Sequence, residues 1–232
     1  MGEPTRRTVY VIRYRTLYTV LGRSLSESPL PAPNPTSRRN VLAAALRVAD
    51  RVGPDGLTMR AVGTEVGLTP MALYRHVDDR AELLRGMAED LLDELDVPPN
   101  EELPWEVRLR SLFSGLRSVA HSHPKTFPLV LMLRRSPRLD RLLLATASAI
   151  DDVGVAANYV WRTQTGVWTL LFGFAVRESL GQFRNQPPGG ADRHASTVLA
   201  AALHLVTWAA ADPQSAHPDD VDSPSDPSED TW

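Results

Sequence analysis

Residues Leu57–Leu84 read LTMRAVGTEVGLTPMALYRHVDDRAELL, a helical pattern that breaks at Val66 to Thr69 and restarts on Thr-Pro. The break is built from residues that end and begin helices. Gly67 closes the helix before it, Thr69 caps the next one, and Pro70 takes the first helical position, where a missing N–H costs nothing. Leu68 and Leu73 form a hydrophobic staple across the new start, and Leu57 with Val62 repeat it around Thr58, which caps the preceding helix. Two short helices joined by a glycine-containing turn of three or four residues form a helix-turn-helix, whose second helix can enter a DNA major groove. Leu73 and Val77 turn that helix's apolar side inward and leave Pro70, Met71, Ala72, Arg75 and His76 outside.

The flanking segments complete a small module. Val41, Leu42, Ala45, Leu46, Ala49 and Val52 recur at helical spacing and Gly53 stops that helix. Downstream, Asp79 with Glu82 opens a fourth helix whose apolar stripe is Leu83, Leu84, Met87, Ala88, Leu91, Leu92 and Leu95. Arg80 lies in its first turn, where a cation is unfavourable for the helix dipole, so the sequence assigns it to a phosphate instead.

Charge is distributed unevenly. The net charge of -3 conceals 12 Arg against 7 acids over residues 1–80, 13 basic residues against 14 acids over 81–211, and 7 acids with no base over 212–232. A basic amino-terminal third suits contact with phosphates, and an acidic tail belongs in solvent. The absence of cysteine excludes disulfides and thiol chemistry. No unbroken apolar run reaches the ~18 residues that span a bilayer, so no membrane role and a cytoplasmic location are expected.

The chain is thus expected to divide into four parts. Residues 1–37 form a flexible basic extension and linker, 38–96 the helix-turn-helix domain, 97–211 a larger helical domain, and 212–232 a Pro/Ser/Asp-rich tail without the apolar content for a core.

Residues 38–95 resemble the amino-terminal domain of the tetracycline-repressor (TetR) family of bacterial transcription regulators. The resemblance is carried by the run AALRVADRVGPDGLTMRAVGTEVGLTPMALYRHVDDRAELL. It implies an all-α chain: a three-helix DNA-binding domain joined by a fourth helix to a ligand-binding and dimerisation domain. It also implies that Arg60, Thr69, Met71, Ala72, Tyr74, His76 and Arg80 occupy DNA-facing positions. Tyr74 and His76 would contact phosphates, Arg80 the backbone, and Arg60 with Thr69 to Ala72 the base edges. Read from the residues alone, Tyr74 is a half-buried aromatic, His76 packs equally well on the first helix, and Arg75 is equally a solvated surface residue.

From Pro104 to Ala211 the pattern predicts about five helices, with a long one near Ala157 to Gln182 that is apolar almost all round and must be covered on every side. The last two helices carry surplus apolar surface, which suggests a four-helix dimer interface of the kind the family builds. Trp105 and the segment GVWTLLFGF loosely resemble the tetracycline-repressor subgroup, but TFPLVLMLRR offers no histidine for a magnesium-drug chelate. Trp105, Phe113, Leu116, Phe127, Met132, Gln164 and Trp168 are candidate walls of an apolar effector cavity, and each fits an ordinary core position equally. A ligand there would act on DNA affinity through the fourth helix, the element both halves share.

No catalytic constellation emerges: the sequence holds no H-E-x-x-H, no G-x-S-x-G and no Walker glycine loop. His121 and His123 are two positions apart and do not share a helix face, so neither a metal site nor a cofactor is expected. The functional expectation is a homodimeric, ligand-responsive repressor acting on a palindromic double-stranded DNA operator, with a small apolar effector. The alternative is a helical small-molecule binder or adaptor that keeps the fold without operator recognition.

Overall fold

The computed structural model describes residues 37–95, 103–134 and 136–211. The basic extension, the break after Leu95 and the acidic tail anticipated from the sequence lie outside these residues, apart from Ser37 at the end of the extension. The described chain is all-helical: α1 (Arg38–Val52), α2 (Met59–Val66), α3 (Pro70–Leu73), α4 (Arg80–Asp93), α5 (Trp105–Ser122), a 3-10 helix (Phe127–Met132), α6 (Pro137–Asp151), α7 (Ala157–Ser179) and α8 (Gly190–Ala211).

Local chemistry sets the first four boundaries. Ser37 accepts from the Asn40 amide at 3.3 Å to start α1, and Gly53, at φ +84°, ends it. Thr58 accepts from the Ala61 amide at 3.1 Å, and Gly67, at φ +71°, closes α2 in the left-handed conformation. Asp79 accepts from the Glu82 amide at 2.7 Å, while the Glu82 carboxylate reaches back to the Asp78 amide at 2.5 Å, one residue before the cap. These side chains satisfy donors that a helix end leaves without intrahelical partners. The Asp78 amide and Arg38, in that order, hold the Glu82 carboxyl below its ordinary range.

Helix α4 is the hinge of the architecture. Its buried residues include Leu83, Met87, Leu91 and Leu92, and the helix packs on α1 as well as on the 3-10 helix and α6. The crossing with α1 is close because residue 86 is glycine: a Cβ there would come within 2.7 Å of Leu42 Cδ2. Arg138 of α6 fastens the far end, lying 3.0 Å from Asp90 and 2.5 Å from Asp93. Burial raises the Asp90 carboxyl, with Arg138 opposing the shift.

In the carboxy-terminal body, α7 is central and packs on α5, α6 and α8. Arg117 of α5 grips Glu178 of α7 through two contacts of 2.8 and 2.6 Å, and reaches Asp192 of α8 at 2.8 Å. Gly166 lets α8 approach α7, since a Cβ there would lie 2.6 Å from Leu205 Cδ2. Two sequence expectations change here. The outer side of α7 is not covered by the other described residues, for Trp161 is 59 % exposed and Arg162, Thr165, Thr169 and Gly173 lie open beside it. In addition, α8 is long and apolar enough, by length and composition alone, to cross a membrane, with a mean hydropathy of 1.3 in its most apolar window. A search for unbroken apolar runs misses this alanine-rich helix because threonine, serine and histidine interrupt it. Its inner edge, Ala195, Leu199, Ala202, Val206 and Ala209, is buried.

Gly63 is the tightest point of the helix-turn-helix, because a Cβ at this position would lie 2.5 Å from the Leu68 backbone oxygen. Alanine in mid-helix ordinarily stabilises by about 0.5–1 kcal/mol relative to glycine. Gly63→Ala is expected to do the opposite and to cost about 1–3 kcal/mol, the range for overpacking. Chemical denaturation of the two proteins checks the sign.

Candidate nucleic-acid interface

The break quoted at the outset folds as a turn between α2 and a recognition helix of one α-helical turn. Thr69 accepts from the Ala72 amide at 3.3 Å and Pro70 occupies the first position of α3. Past Leu73 the chain continues as hydrogen-bonded turns, the His76 amide donating to the Leu73 carbonyl at 2.8 Å and the Val77 amide to the same oxygen at 3.2 Å. Leu73 and Val77 are fully buried, so one face of this segment is fixed to the core.

The opposite face is open. Met71 is 79 % and Tyr74 51 % exposed, Thr69, Pro70 and Arg75 are exposed, and Ala72 and His76 are half-buried. Arg60 lies exposed in the first turn of α2, where its carbonyl accepts from the Thr64 hydroxyl at 3.0 Å. Among the described residues neither the Arg60 nor the Arg75 guanidinium has an ion-pair partner, which leaves both charges available. Arg47 and Arg51 differ: both bind Glu65, at 3.1 and 2.6 Å, bracing α1 against α2. Arg51 first, then Arg47, holds the Glu65 carboxyl below the ordinary carboxylate range.

Arg80 is also held within the chain itself. Its Nη2 donates to the Pro54 carbonyl at 2.6 Å and its Nε points at the Leu57 carbonyl at 3.5 Å. The side chain therefore ties the start of α4 to the turn that leads into Thr58 and α2. A cation in the first turn of a helix is tolerated because it serves carbonyls elsewhere. The sequence offered no signal for this, as the partners lie 23 and 26 residues away.

The candidate effector residues separate into groups. Phe127 and Trp168 flank Phe172, with ring centroids 6.0 and 4.7 Å from it, while Phe113 meets Phe174 edge-on at 5.8 Å. Phe172, absent from the candidate set, is the ring that joins the first two. Leu116 is wholly buried, Trp105 is partly buried against the core, and the Gln164 amide donates to the Leu143 carbonyl. The Trp168 indole N–H is buried without a hydrogen-bond partner among the described residues. Met132 is a correction: it is 71 % exposed and lines no interior wall. Phe127, Leu129 and Val130 of the 3-10 helix are buried, while Leu131 and Met132 at its end are exposed. None of the seven lines the open groove of about 660 Å³ between α1 and α2, which Val48, Arg51, Thr58, Arg60 and Glu65 help to form.

The contacts of Arg80 make a specific expectation for its removal. Arg80→Ala should lower the stability of the free protein by about 1 kcal/mol, the worth of a typical hydrogen bond. A residue that served only a phosphate would leave the melting curve of the free protein unchanged.

Comparison with known proteins agrees with this geometry. Residues 41–87 match the family described as bacterial regulatory proteins, tetR family. An uncharacterized HTH-type transcriptional regulator of Mycobacterium tuberculosis, Rv0681, is 25% identical over 159 residues, 64% of this chain and 73% of that protein. The HTH-type transcriptional repressor DrrR1 of Streptomyces coeruleorubidus is 31% identical over 102 residues, 41% of this chain and 36% of that one. Among solved structures, BioQ of Mycobacterium smegmatis superposes with a TM-score of 0.64 at 25% identity, covering 75% of this chain and 99% of BioQ. A BioQ structure with its natural double-stranded DNA operator superposes with a TM-score of 0.55, also at 25% identity, over 71% of this chain and 99% of the other. With its helix-turn-helix turn and the fourth helix behind it, the segment 41–87 is similar to the tetR family of bacterial regulatory proteins, and the fold of the described chain is similar to that of BioQ.

Proposed function

We propose that the protein is a homodimeric transcriptional repressor that binds a two-fold symmetric double-stranded DNA operator and responds to a small apolar effector. The observation that carries this reading is the face formed by Met71, Tyr74, Arg75 and Arg60, exposed and without an ion pair among the described residues, on a segment whose other side is locked by Leu73 and Val77. Arg60 and the Thr69 to Ala72 segment meet base edges; Tyr74, Arg75 and His76 meet phosphates. Arg80 acts through the turn it holds. The relatives named as transcriptional regulators and the operator-bound BioQ support the DNA partner.

The dimer reading rests on the outer faces of α7 and α8. Trp161 and Trp208 are both more than half exposed, and Thr165, Thr169 and Gly173 of α7 and Ala200 and Ala201 of α8 are exposed on the same two helices, small side chains that let helices approach closely. The effector domain spans 97–211, where the unpaired Trp168 N–H among aromatic rings supports a ligand carrying a hydrogen-bond acceptor. Residues 1–37 serve as a basic arm and 212–232 as an acidic tail. The chain acts in the cytoplasm and is not an enzyme.

A gel shift with DNA from upstream of the protein's own gene tests the reading. Arg75→Ala should weaken operator and random DNA alike and shallow the salt dependence by about one unit, as one lost phosphate contact does. Met71→Ala should instead change sequence preference, and Trp161→Glu should yield folded monomers with reduced operator affinity. A wild-type protein that binds its effector but no duplex would favour the small-molecule binder without operator recognition.

A further inference from the structure

His123 ends α5 and begins the turn into the 3-10 helix, and its side chain leaves the body to which it belongs. Its ring is 16 % exposed, with Nδ1 2.7 Å from Oδ2 of Asp50 near the end of α1 and Nε2 3.0 Å from Oε2 of Glu94 at the end of α4. The same turn makes two further contacts with the amino-terminal module. The Thr126 hydroxyl donates to the other Asp50 oxygen at 2.5 Å, and Lys125 Nζ donates to the Arg51 carbonyl at 2.5 Å. One short turn thus holds the last turn of α1 and the end of α4, two helices whose apolar residues share the core in which Leu73 and Val77 are buried.

Counting donors fixes the chemistry of this joint. An ionised carboxylate only accepts, and a neutral imidazole has a single N–H, so both ring contacts are hydrogen bonds together only when the ring carries two protons. The charged groups that face it are Asp50 from α1 and Glu94 from α4, with Lys125 on its own turn engaged to the Arg51 carbonyl. A ring with one proton leaves one of the two carboxylates without a donor. Asp50 keeps Thr126, whereas Glu94 has no other partner among the described residues, so α4 is the side that loosens.

We propose that His123, bridging Asp50 and Glu94, is a positioning residue for DNA binding that sets the angle of the recognition module on the body. Loss of the bridge frees the end of α4 and lowers DNA affinity. This rests on the DNA-binding reading, because the spacing of two recognition helices, about 34–36 Å for successive major grooves, depends on that angle in both protomers.

The test uses the full chain and a duplex this protein selects from a random pool. His123→Gln should weaken binding about five- to tenfold, the low end of typical coupling between sites, with unchanged helix content and an unchanged salt dependence, because no phosphate contact is lost. Glu94→Gln should weaken it as much and the double variant no further, since both break the same bridge. Additive losses, or His123→Gln at wild-type affinity, overturn the proposal. If no duplex is selected, the DNA reading and the positioning role fail together, while melting of the free proteins, where the two variants should be non-additive, still decides whether the joint exists.

Discussion

Everything in this molecule depends on the packing of α4 between two bodies. Its apolar stripe is continuous from Leu83 to Leu92, and the same stripe serves the recognition module through α1 and the larger domain through the 3-10 helix and α6. Burying a leucine of this kind is worth about 1.5–3 kcal/mol, so neither body can let go of the helix without losing several times the energy of any single surface contact. The consequence is mechanical. A displacement of the larger domain that moves α4 must carry Leu73 and Val77 with it, and with them the exposed face of α3.

Polar contacts decide the angle that the apolar stripe leaves free. A helix can rotate or slide on a leucine surface at small cost, but Arg138 on Asp90 and Asp93, and the contacts from the turn of His123, fix both its rotation and its end. Arg80 does the equivalent work at the start of α4 by holding the Pro54 and Leu57 carbonyls. The recognition segment is short and capped at one end only, so its orientation comes from these ties and from Leu73 and Val77, rather than from helix length.

What the sequence revealed follows from the range of the interactions. The ends of α1, α2 and α3 were readable because Gly53, Thr58, Gly67, Thr69 and Pro70 act on their own neighbours within four residues. The buried side of α4 was readable because its period is local. The Asp50–His123 contact spans 73 positions and the Arg80–Pro54 contact 26, and no local pattern encodes either. Hydrophobicity places Met132 inside, whereas it lies exposed at the end of its 3-10 helix. Phe172 was hidden in a helix so uniformly apolar that no single ring stood out. The exposure of Trp161 depends on which neighbours the chain supplies, which composition does not state.

The claim that the α3 face reads DNA as one half of a two-fold pair is tested most directly by hydroxyl-radical footprinting on a duplex that the protein selects. The account predicts two protected half-sites related by two-fold symmetry, with centres about 10–10.5 base pairs, or a whole multiple of that, apart. Protection of a single half-site, or uniform protection without a repeat, would contradict it.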